Sequence, residues 1–251
     1  MPVSIERRDR VLIVRIEREE KRNAVDQEIA DGIGAALDQL DDDPELWVGI
    51  ITGTTTVFSA GTDLASTGNG MPRTDRGGEY GVIRRDREKP LIAAVEGFAL
   101  GGGFEIVLSC DLVVAARTAS FGLPEVKRGL VPTCGGLFRT PRALPLNVAK
   151  EMLLTGDHLS PERAYSLGLV NVVTEPGRAV EGALALAARI CAVGPVGARA
   201  SLRALERTVA ERDELGWEAT TVATTAITGS DDIREGLAAF FEKRDPRWTG
   251  R

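Results

Sequence analysis

The sequence predicts an α/β core followed by a helical C-terminal region. Short apolar and β-branched runs alternate with segments of helical spacing as far as Gly177, a pattern typical of a sheet covered by helices. Beyond that residue the spacing is helical only, which predicts helices near 178–192, 195–210, 213–228 and 231–243. We therefore expect a core at 1–192 and a helical region at 193–251.

The first predicted elements are a hairpin, a helix and a strand. Val3–Arg7 and Val11–Ile16 are apolar or alternating runs on either side of a charged turn, which is typical of a hairpin. Asp26 is placed to cap a helix running to about 40, because its carboxylate can accept a free backbone N–H. Trp47–Thr52 is a short β-branched run and predicts a buried strand.

The middle of the chain alternates loops with short strands and helices. A loop rich in Gly, Thr and Ser is predicted at 54–64, and the polar, arginine-rich stretch at 65–88 predicts a mobile surface segment that ends in a short helix. The remaining predicted strands are Leu91–Val95, Leu112–Ala116, Ala119–Phe121 and Leu169–Val173, and the remaining predicted helices follow Gly103 to about Ser109 and lie near 135–143, 147–155 and 161–167.

The composition is that of a soluble globular protein, with 43% hydrophobic and 27% charged residues. A net charge of -6 argues against a nucleic-acid platform. No apolar run reaches the length of a membrane span, and the N-terminus lacks the apolar stretch of a signal peptide. Cys110, Cys134 and Cys191 are far apart and show no CxxC pairing, which disfavours zinc knuckles and disulfides and favours a reducing, cytoplasmic setting.

Glu105 and Glu125 are the strongest candidate catalytic residues. Each follows a glycine-marked element and lies in an apolar stretch, where carboxylates are seldom left without a partner or a role. Burial raises the pKa of a carboxyl group, which suits a general acid or base. Either glutamate alone is most simply a helix cap or half of a buried ion pair, but the two together favour acid–base chemistry that needs neither a metal nor a redox cofactor.

Two glycine-containing segments accompany the glutamates. In Phe58–Leu64 the small residues let a ligand approach the backbone, the N–H of Ala60 could donate to an oxyanion, and Asp63 could cap the next turn. Gly101-Gly102-Gly103 stands between a predicted strand and a helix, where converging N–H groups favour anions. An ordinary tight loop and close helix packing are the plainer interpretations. The order of elements does not fit a Rossmann fingerprint, and no GK[ST] of a P-loop is present.

These segments resemble the signatures of the enoyl-CoA hydratase/isomerase (crotonase) superfamily. The resemblance is in order and spans almost the whole chain: Lys21–Val25, Phe58–Leu64, Gly97–Glu105 with Cys110-Asp111, and Ser120–Glu125 with Gly129–Pro132 and Gly135-Gly136. It implies a ββα spiral core with a C-terminal helical trimerisation region, an acyl-CoA substrate, and a homotrimer or dimer of trimers. CoA is then part of the substrate, and no separate cofactor or metal is implied.

The resemblance also implies roles for residues. The backbone N–H groups of Ala60 and Gly102 would form the oxyanion hole for the thioester, Glu125 would deliver a proton to C2, and Glu105 would orient and deprotonate the attacking water. Isomerases of the family commonly keep only the glutamate at position 125, so the pair favours a hydratase. The residues implied to contact the substrate or its CoA are Arg22, Ala24, Ala60, Asp63, Leu64, Gly101 and Lys243.

Several alternatives stay open from the sequence. Phe104, Arg139 and the ending at 241–251 resemble the carnitinyl-CoA dehydratase (crotonobetainyl-CoA hydratase) subgroup of the family. An enoyl-CoA isomerase and a non-catalytic acyl-CoA-binding protein are the other readings.

Thr133 and Cys134 put side chains where many hydratases have glycine, which places the usual substrate range in doubt. A nucleophilic Cys134 would lack a nearby partner base. The single histidine, His158, lies in a stretch typical of an inter-helix loop, with Ser160 capping the helix at Pro161, which disfavours a catalytic role.

Overall fold

The computed structural model describes residues 2–66, 70–210 and 213–249. Its main sheet contains, in spatial order, the strands β1 (Val3–Arg8), β2 (Val11–Ile16), β3 (Val48–Thr52), β7 (Leu91–Val95), β9 (Leu112–Ala116) and β11 (Val172–Thr174), numbered along the chain. Strands β1 and β2 form the predicted antiparallel hairpin, and the pairs from β2 onward are parallel.

A second, parallel sheet of three short strands carries the candidate site. It consists of β4 (Val57–Ser59), β8 (Phe98–Leu100) and β10 (Ser120–Gly122), with β8 in the centre. The sequence prediction placed β4 and β8 in loops and was wrong there. Three residues are too few to show an alternating pattern, and these strands are recognisable only from their pairing.

Helices cover both faces of the main sheet. On one face, α6 (Ala179–Cys191) packs through Ala179, Ala183 and Ala187, which lie one turn apart and let the helix approach closely. On the other face lie α1 (Gln27–Asp42) and α2 (Gly102–Leu108), with the larger of the two apolar clusters between them and the sheet. Asp26 caps α1 as predicted, because its carboxylate accepts the N–H of Ile29 at 3.0 Å.

The segment before β7 differs from its prediction. Residues 70–88 contain the two-stranded pair β5 (Arg73–Thr74) and β6 (Gly78–Glu79) followed by turns, and no helix. Tyr80, Val82 and Ile83 are each 1% exposed. The predicted surface segment with a terminal helix is therefore wrong over these residues, and 67–69 lie outside the described part of the chain.

The remaining helices follow the predicted order. They are α3 (Gly136–Ala143), α4 (Leu146–Thr155), α5 (Pro161–Ser166), α7 (Pro195–Ala210), α8 (Asp213–Thr228) and α9 (Asp231–Glu242). Helix α8 reaches the core through an edge-to-face contact of Phe138 with Trp217, whose ring centres are 5.0 Å apart. The division of the chain into parts at 1–192 and 193–251 stays a prediction.

Helix α9 lies against the 3-10 helix Pro124–Arg128, which carries Glu125. Gly236 makes this contact possible, because a methyl group there would overlap the carbonyl of Arg128. The ring of Phe240 adds a cation–π contact, 4.8 Å from the guanidinium of Arg128.

Within the described residues, no single helix has both the length and the apolar composition needed to cross a membrane. Helices α6 and α7 meet these criteria only when they are taken together, and they are bent by 107° relative to each other.

Candidate active site

The two glycine-marked segments meet at the end of the smaller sheet. A methyl group on Gly61 would lie 2.6 Å from the nitrogen of Gly102, and one on Gly103 would overlap the carbonyl of Ser59. Gly61 also has φ of +91°, a conformation that other residues adopt only with strain. The chain therefore needs glycine at these positions to bring the loop after β4 against the first turn of α2.

Glu105 is buried on the first turn of α2 with one oxygen fixed. Its Oε1 accepts the backbone N–H of Cys134 at 2.7 Å and that of Gly136 at 2.8 Å. Burial raises the pKa of Glu105, and these two hydrogen bonds together with the positive charge of Arg139 oppose the rise. The loop before α3 thus both orients the carboxylate and favours its charged form.

Glu125 has a poorer environment for a negative charge. Its carboxyl group lies beside Gly101, at whose position a methyl group would be 3.2 Å from Oε1. Its Oε2 is buried and accepts no hydrogen bond from any described residue. Burial raises the pKa of Glu125, and the nearby charge of Glu105 raises it further, while Arg128 opposes both.

The two carboxyl groups face one stretch of α2. Gly101, which touches Glu125, is the N-cap of that helix, and Glu105 lies four positions later on the same helical face. Both pKa values are raised, and the two groups titrate as a pair. The environment favours the proton on Glu125 and the negative charge on Glu105.

The prediction that the N–H of Ala60 is an oxyanion donor is wrong in this structure. That N–H donates to the carbonyl of Arg22 at 3.0 Å. The next candidate along the loop is Thr62. Val25 pairs with the two residues on either side of Thr62, donating to Gly61 at 2.8 Å and accepting from Asp63 at 3.0 Å.

Two backbone N–H groups are left without an acceptor where the segments meet. Because Val25 bonds only the neighbours of Thr62, the N–H of Thr62 faces away from that pairing, and it donates no hydrogen bond within the described ranges. The N–H of Gly102 is likewise unpaired there, as expected in the first turn of a helix. Thr62 and Gly102, and not Ala60, therefore carry the N–H groups that are open to a ligand oxygen, and the role of Gly102 in an oxyanion hole stays a prediction.

The residues predicted to contact CoA lie in three parts of the structure: the turn at 22–24, the loop at 63–64 and the end of α9. Arg22 is exposed in a left-handed turn, with the half-buried Ala24 two positions later. Asp63 is not free, because its carboxylate pairs with Arg18 at 3.0 Å and accepts the N–H of Ala65 at 3.1 Å. Leu64 is half-buried beside it, and Lys243 is exposed at the C-terminal end of α9. The capping role predicted for Asp63 is confirmed.

Sequence reasoning missed two buried polar residues at the site. Asn23 holds β4 in place, because its Nδ2 donates to the carbonyls of Val57 at 2.9 Å and Phe58 at 3.1 Å. The hydroxyl of Tyr80 lies 2.7 Å from Thr62 Oγ1. The signal that could have revealed Tyr80 is the set of glycines around it at 77, 78 and 81, which is typical of a tightly packed turn.

The other candidate reactive groups are held in inert settings. Burial raises the pKa of the Cys134 thiol well above its ordinary value, which keeps it protonated and a poor nucleophile. His158 Nδ1 lies 3.2 Å from Ser120 Oγ, but the neighbouring Asp157 pairs with Lys127 at 3.1 Å instead of with the imidazole. Among the described residues, no group of three His, Cys, Asp or Glu side chains is arranged to hold a metal ion.

The raised pKa of Glu125 predicts a pH-dependent cost in stability. In the unfolded chain this group ionises near pH ~4.3, so as pH rises from there through its higher folded pKa, the folded protein loses stability. Since the folded pKa lies at about 8, Glu125→Gln should be more stable than the wild type at pH 9 by up to about 5 kcal/mol, or roughly 10–20 °C in Tm. Near pH 4 the two proteins should melt together.

Calorimetric melting at both pH values checks this expectation. The exposed Glu162 provides the matched control, Glu162→Gln, since its carboxylate stays in water and pairs with the equally exposed Arg117, at 3.7 Å. An equal Tm difference between Glu125→Gln and wild type at the two pH values would contradict the assigned environment.

Comparison with known proteins identifies the family. A family model described as enoyl-CoA hydratase/isomerase matches residues 6–251. The carnitinyl-CoA dehydratase of Salmonella heidelberg is 41% identical over 241 residues, which cover 92% of each chain. The crystal structure of carnitinyl-CoA hydratase from Mycobacterium avium has a TM-score of 0.93 and 41% identity, covering 100% of this chain and 99% of that one.

A second solved structure is similar over the same length. Enoyl-CoA hydratase from Mycobacterium tuberculosis H37Rv has a TM-score of 0.80 and 45% identity, with coverage of 100% of this chain and 99% of that one. The predicted family and its α/β fold are thereby confirmed. The chain belongs to the enoyl-CoA hydratase/isomerase family.

Proposed function

We propose that this protein is an enoyl-CoA hydratase-type lyase, which reversibly adds water to a trans-2-enoyl-CoA to give a 3-hydroxyacyl-CoA. The observation that carries the proposal is the unequal environment of two adjacent carboxyl groups. Glu105 receives two backbone hydrogen bonds, whereas Glu125 has a buried oxygen without a partner in the described chain. Pairs of carboxyls in unlike environments are typical of sites that need one base and one acid.

The assigned roles follow from this inequality. Ionised Glu105 takes a proton from water, whose oxygen forms a bond to C3 of the enoyl group. The C2–C3 π electrons move toward the thioester carbonyl, giving an enolate, and neutral Glu125 donates its proton to C2. The proton now on Glu105 must return to Glu125 before the next turnover, so the pair acts as one unit with shared macroscopic pKa values. The sum is the addition of one water, which requires no redox cofactor.

The enolate oxygen is held by the N–H groups of Thr62 and Gly102 in this mechanism. Neither donor has an acceptor among the described residues, and the contact of Gly61 with Gly102 places the two segments side by side. Donors fixed by the fold stabilise the developing charge without reorganising during the reaction. Gly101 contacts Glu125, which brings the proton donor next to the same hole.

A narrower substrate class is supported by the relatives and by the site. Relatives of this chain are named carnitinyl-CoA dehydratase, which suggests a crotonobetainyl thioester as substrate in the hydration direction. The polar groups of Tyr80, Thr133 and Cys134 lie near Glu105, so this side of the pocket is not purely apolar. We include this polar enoyl thioester as the second candidate.

The assembly and the CoA site complete the proposal. Arg22, Ala24 and Leu64 line the entrance for CoA on one side, and Lys243 supplies a positive charge to CoA phosphates, most simply in a neighbouring subunit. A trimer or dimer of trimers is supported by exposed apolar side chains on the C-terminal helices, among them Val196, Leu205, Val209, Leu215 and Val222. Unpaired thiols at Cys110, Cys134 and Cys191 agree with a cytoplasmic location.

A panel of thioesters tests the proposal. Crotonyl-CoA and crotonobetainyl-CoA should both be tested for loss of the enoyl absorbance, with a 3-enoyl-CoA as the isomerase substrate. We expect hydration of at least one 2-enoyl thioester. We expect a preference for crotonobetainyl-CoA if the polar groups of Tyr80, Thr133 and Cys134 contact the polar end of that substrate. Turnover of the 3-enoyl thioester alone would make the protein an isomerase, and tight binding without any turnover would make it an acyl-CoA-binding protein.

A further inference from the structure

Tyr80 occupies a strained and costly position. Its φ is +55°, in the left-handed region that bulky residues avoid, and its side chain is 1% exposed. The turn is held by the N–H of Tyr80, which donates to the carbonyl of Pro72 at 2.9 Å, and by Gly81, whose Cα packs on the backbone of α1. Strain of this kind persists where the surrounding structure enforces it, and it concentrates at functional sites.

The hydroxyl of Tyr80 lies beside Thr62 and Gly102, the two residues whose backbone N–H groups are the proposed donors. It lies 2.7 Å from Thr62 Oγ1. It also lies directly over Gly102, where an added methyl group would overlap the hydroxyl oxygen and come within 2.7 Å of the ring carbon that bears it. One side-chain O–H is therefore next to both residues whose N–H groups face the proposed oxyanion.

The hydroxyl is also maintained as a donor. Burial raises the pKa of Tyr80 well above its ordinary value, and the nearby Cys134 and Glu105 raise it further. The group thus stays protonated. When Thr62 Oγ1 donates to the phenol oxygen, the phenol proton is directed away from Thr62, toward the Cys134 thiol. A thiol is a weak acceptor, so a ligand oxygen would compete for this proton, and the chain of hydroxyls would strengthen that hydrogen bond.

We propose that Tyr80 is a catalytic residue of this site: its hydroxyl is a third, side-chain donor to the thioester oxygen, alongside the N–H groups of Thr62 and Gly102. Thr62 then acts twice, through its N–H on the ligand and through its hydroxyl on Tyr80. The inference rests on the proposed function for the identity of the ligand oxygen. It requires no proton transfer from Tyr80, because the hydroxyl only donates a hydrogen bond.

The test uses acetoacetyl-CoA, whose enolate resembles the charged intermediate and has its own ultraviolet absorbance. The enolate absorbance of the bound ligand is titrated against pH in wild type and Tyr80→Phe. We expect the apparent pKa of the bound ligand to rise by about one unit in the variant, a tenfold loss of enolate stabilisation. In hydration, kcat should fall roughly 10- to 100-fold with KM changed much less. An unchanged enolate pKa in Tyr80→Phe would overturn the proposal.

The chain offers matched controls. Tyr165, which is 55% exposed, is the other tyrosine, so Tyr165→Phe makes the same chemical change away from the site and should leave the titration unchanged. Thr62→Val keeps the side-chain shape and removes only the hydroxyl that supports Tyr80, so it should give a smaller rise in the same direction. If Tyr80→Phe does not fold, Thr62→Val carries the test, and an unchanged titration there would overturn the proposal.

The titration is independent of turnover. If the enolate pKa rises in Tyr80→Phe while wild type hydrates none of the thioesters, the hydratase assignment fails and the role of Tyr80 stands. If hydration proceeds normally and the enolate pKa is the same without the phenol, the hydratase assignment stands and the role of Tyr80 fails.

Discussion

Replacing Glu125 with glutamine is expected to lower kcat for hydration of a 2-enoyl thioester by roughly 10²- to 10⁴-fold. The amide is close in shape to the protonated carboxyl but cannot give a proton to C2. KM should change little, because the backbone N–H groups of Thr62 and Gly102, which we propose to hold the thioester, remain open. Steady-state kinetics of crotonyl-CoA hydration, at the pH of highest wild-type activity, measures the effect.

Glu105→Gln is the informative companion variant. A glutamine oxygen can still accept the N–H groups of Cys134 and Gly136, so the local geometry is kept while the base is removed. A comparable loss of kcat is expected, and the double variant should lose little more, because the two groups act as one unit. Wild-type hydration by Glu125→Gln would contradict the acid–base pair and favour a binding role.

Gly61→Ala is expected to cost at least roughly 10²-fold in kcat, the effect of losing one donor from an oxyanion hole. The added methyl group would lie 2.6 Å from the nitrogen of Gly102 and 3.0 Å from the carbonyl oxygen of Leu100. It would therefore push apart the segments that carry the two donors. Binding of acetoacetyl-CoA should weaken together with kcat, because the ligand oxygen and the enolate use the same donors.

Backbone strain must be separated from this steric effect. Gly168 has φ of +86°, close to the +91° of Gly61, and a methyl group there meets no atom within 4 Å. Gly168→Ala therefore imposes a similar backbone strain in open space. Gly168→Ala should lose about 1–2 kcal/mol of stability from the backbone strain alone. Gly61→Ala should lose more, because its methyl group also overlaps neighbouring atoms, and only Gly61→Ala should lose activity. Equal kcat values in the two variants would show that the close approach of Gly61 to Gly102 is not needed for catalysis.

The elements that could be predicted are those with local signals of sufficient length. Strands β7 and β9 agree with the prediction residue for residue, because they are five-residue apolar runs inside the sheet. The start of α1 was predictable from Asp26, whose cap needs only neighbouring residues. The burial of Tyr80 could not be seen in the polar, arginine-rich composition around it, since it depends on glycine contacts with α1.

The sequence predicted the candidate catalytic side chains of the site better than it predicted which backbone N–H groups are open to a ligand. Glu105 and Glu125 stand out because carboxylates are unusual in apolar stretches. The direction of an N–H group in an irregular loop depends on what the loop pairs with. Here the partners are Arg22 and Val25, 36 to 38 positions earlier. Arg22 accepts the N–H of Ala60, and Val25 pairs with the neighbours of Thr62, which leaves the N–H of Thr62 without an acceptor in the described chain. A motif identifies such a segment, and only its distant pairing identifies the donor.

The close contact between α9 and the 3-10 helix of Glu125 links the far end of the chain to its chemistry. Gly236 lets the two backbones come into contact, so a helix more than a hundred positions downstream supports Glu125, the proposed proton donor. Substitutions on α9 can therefore alter turnover without touching substrate. If the C-terminal helices also join subunits, a substitution that changes the quaternary assembly would change the catalytic rate as well.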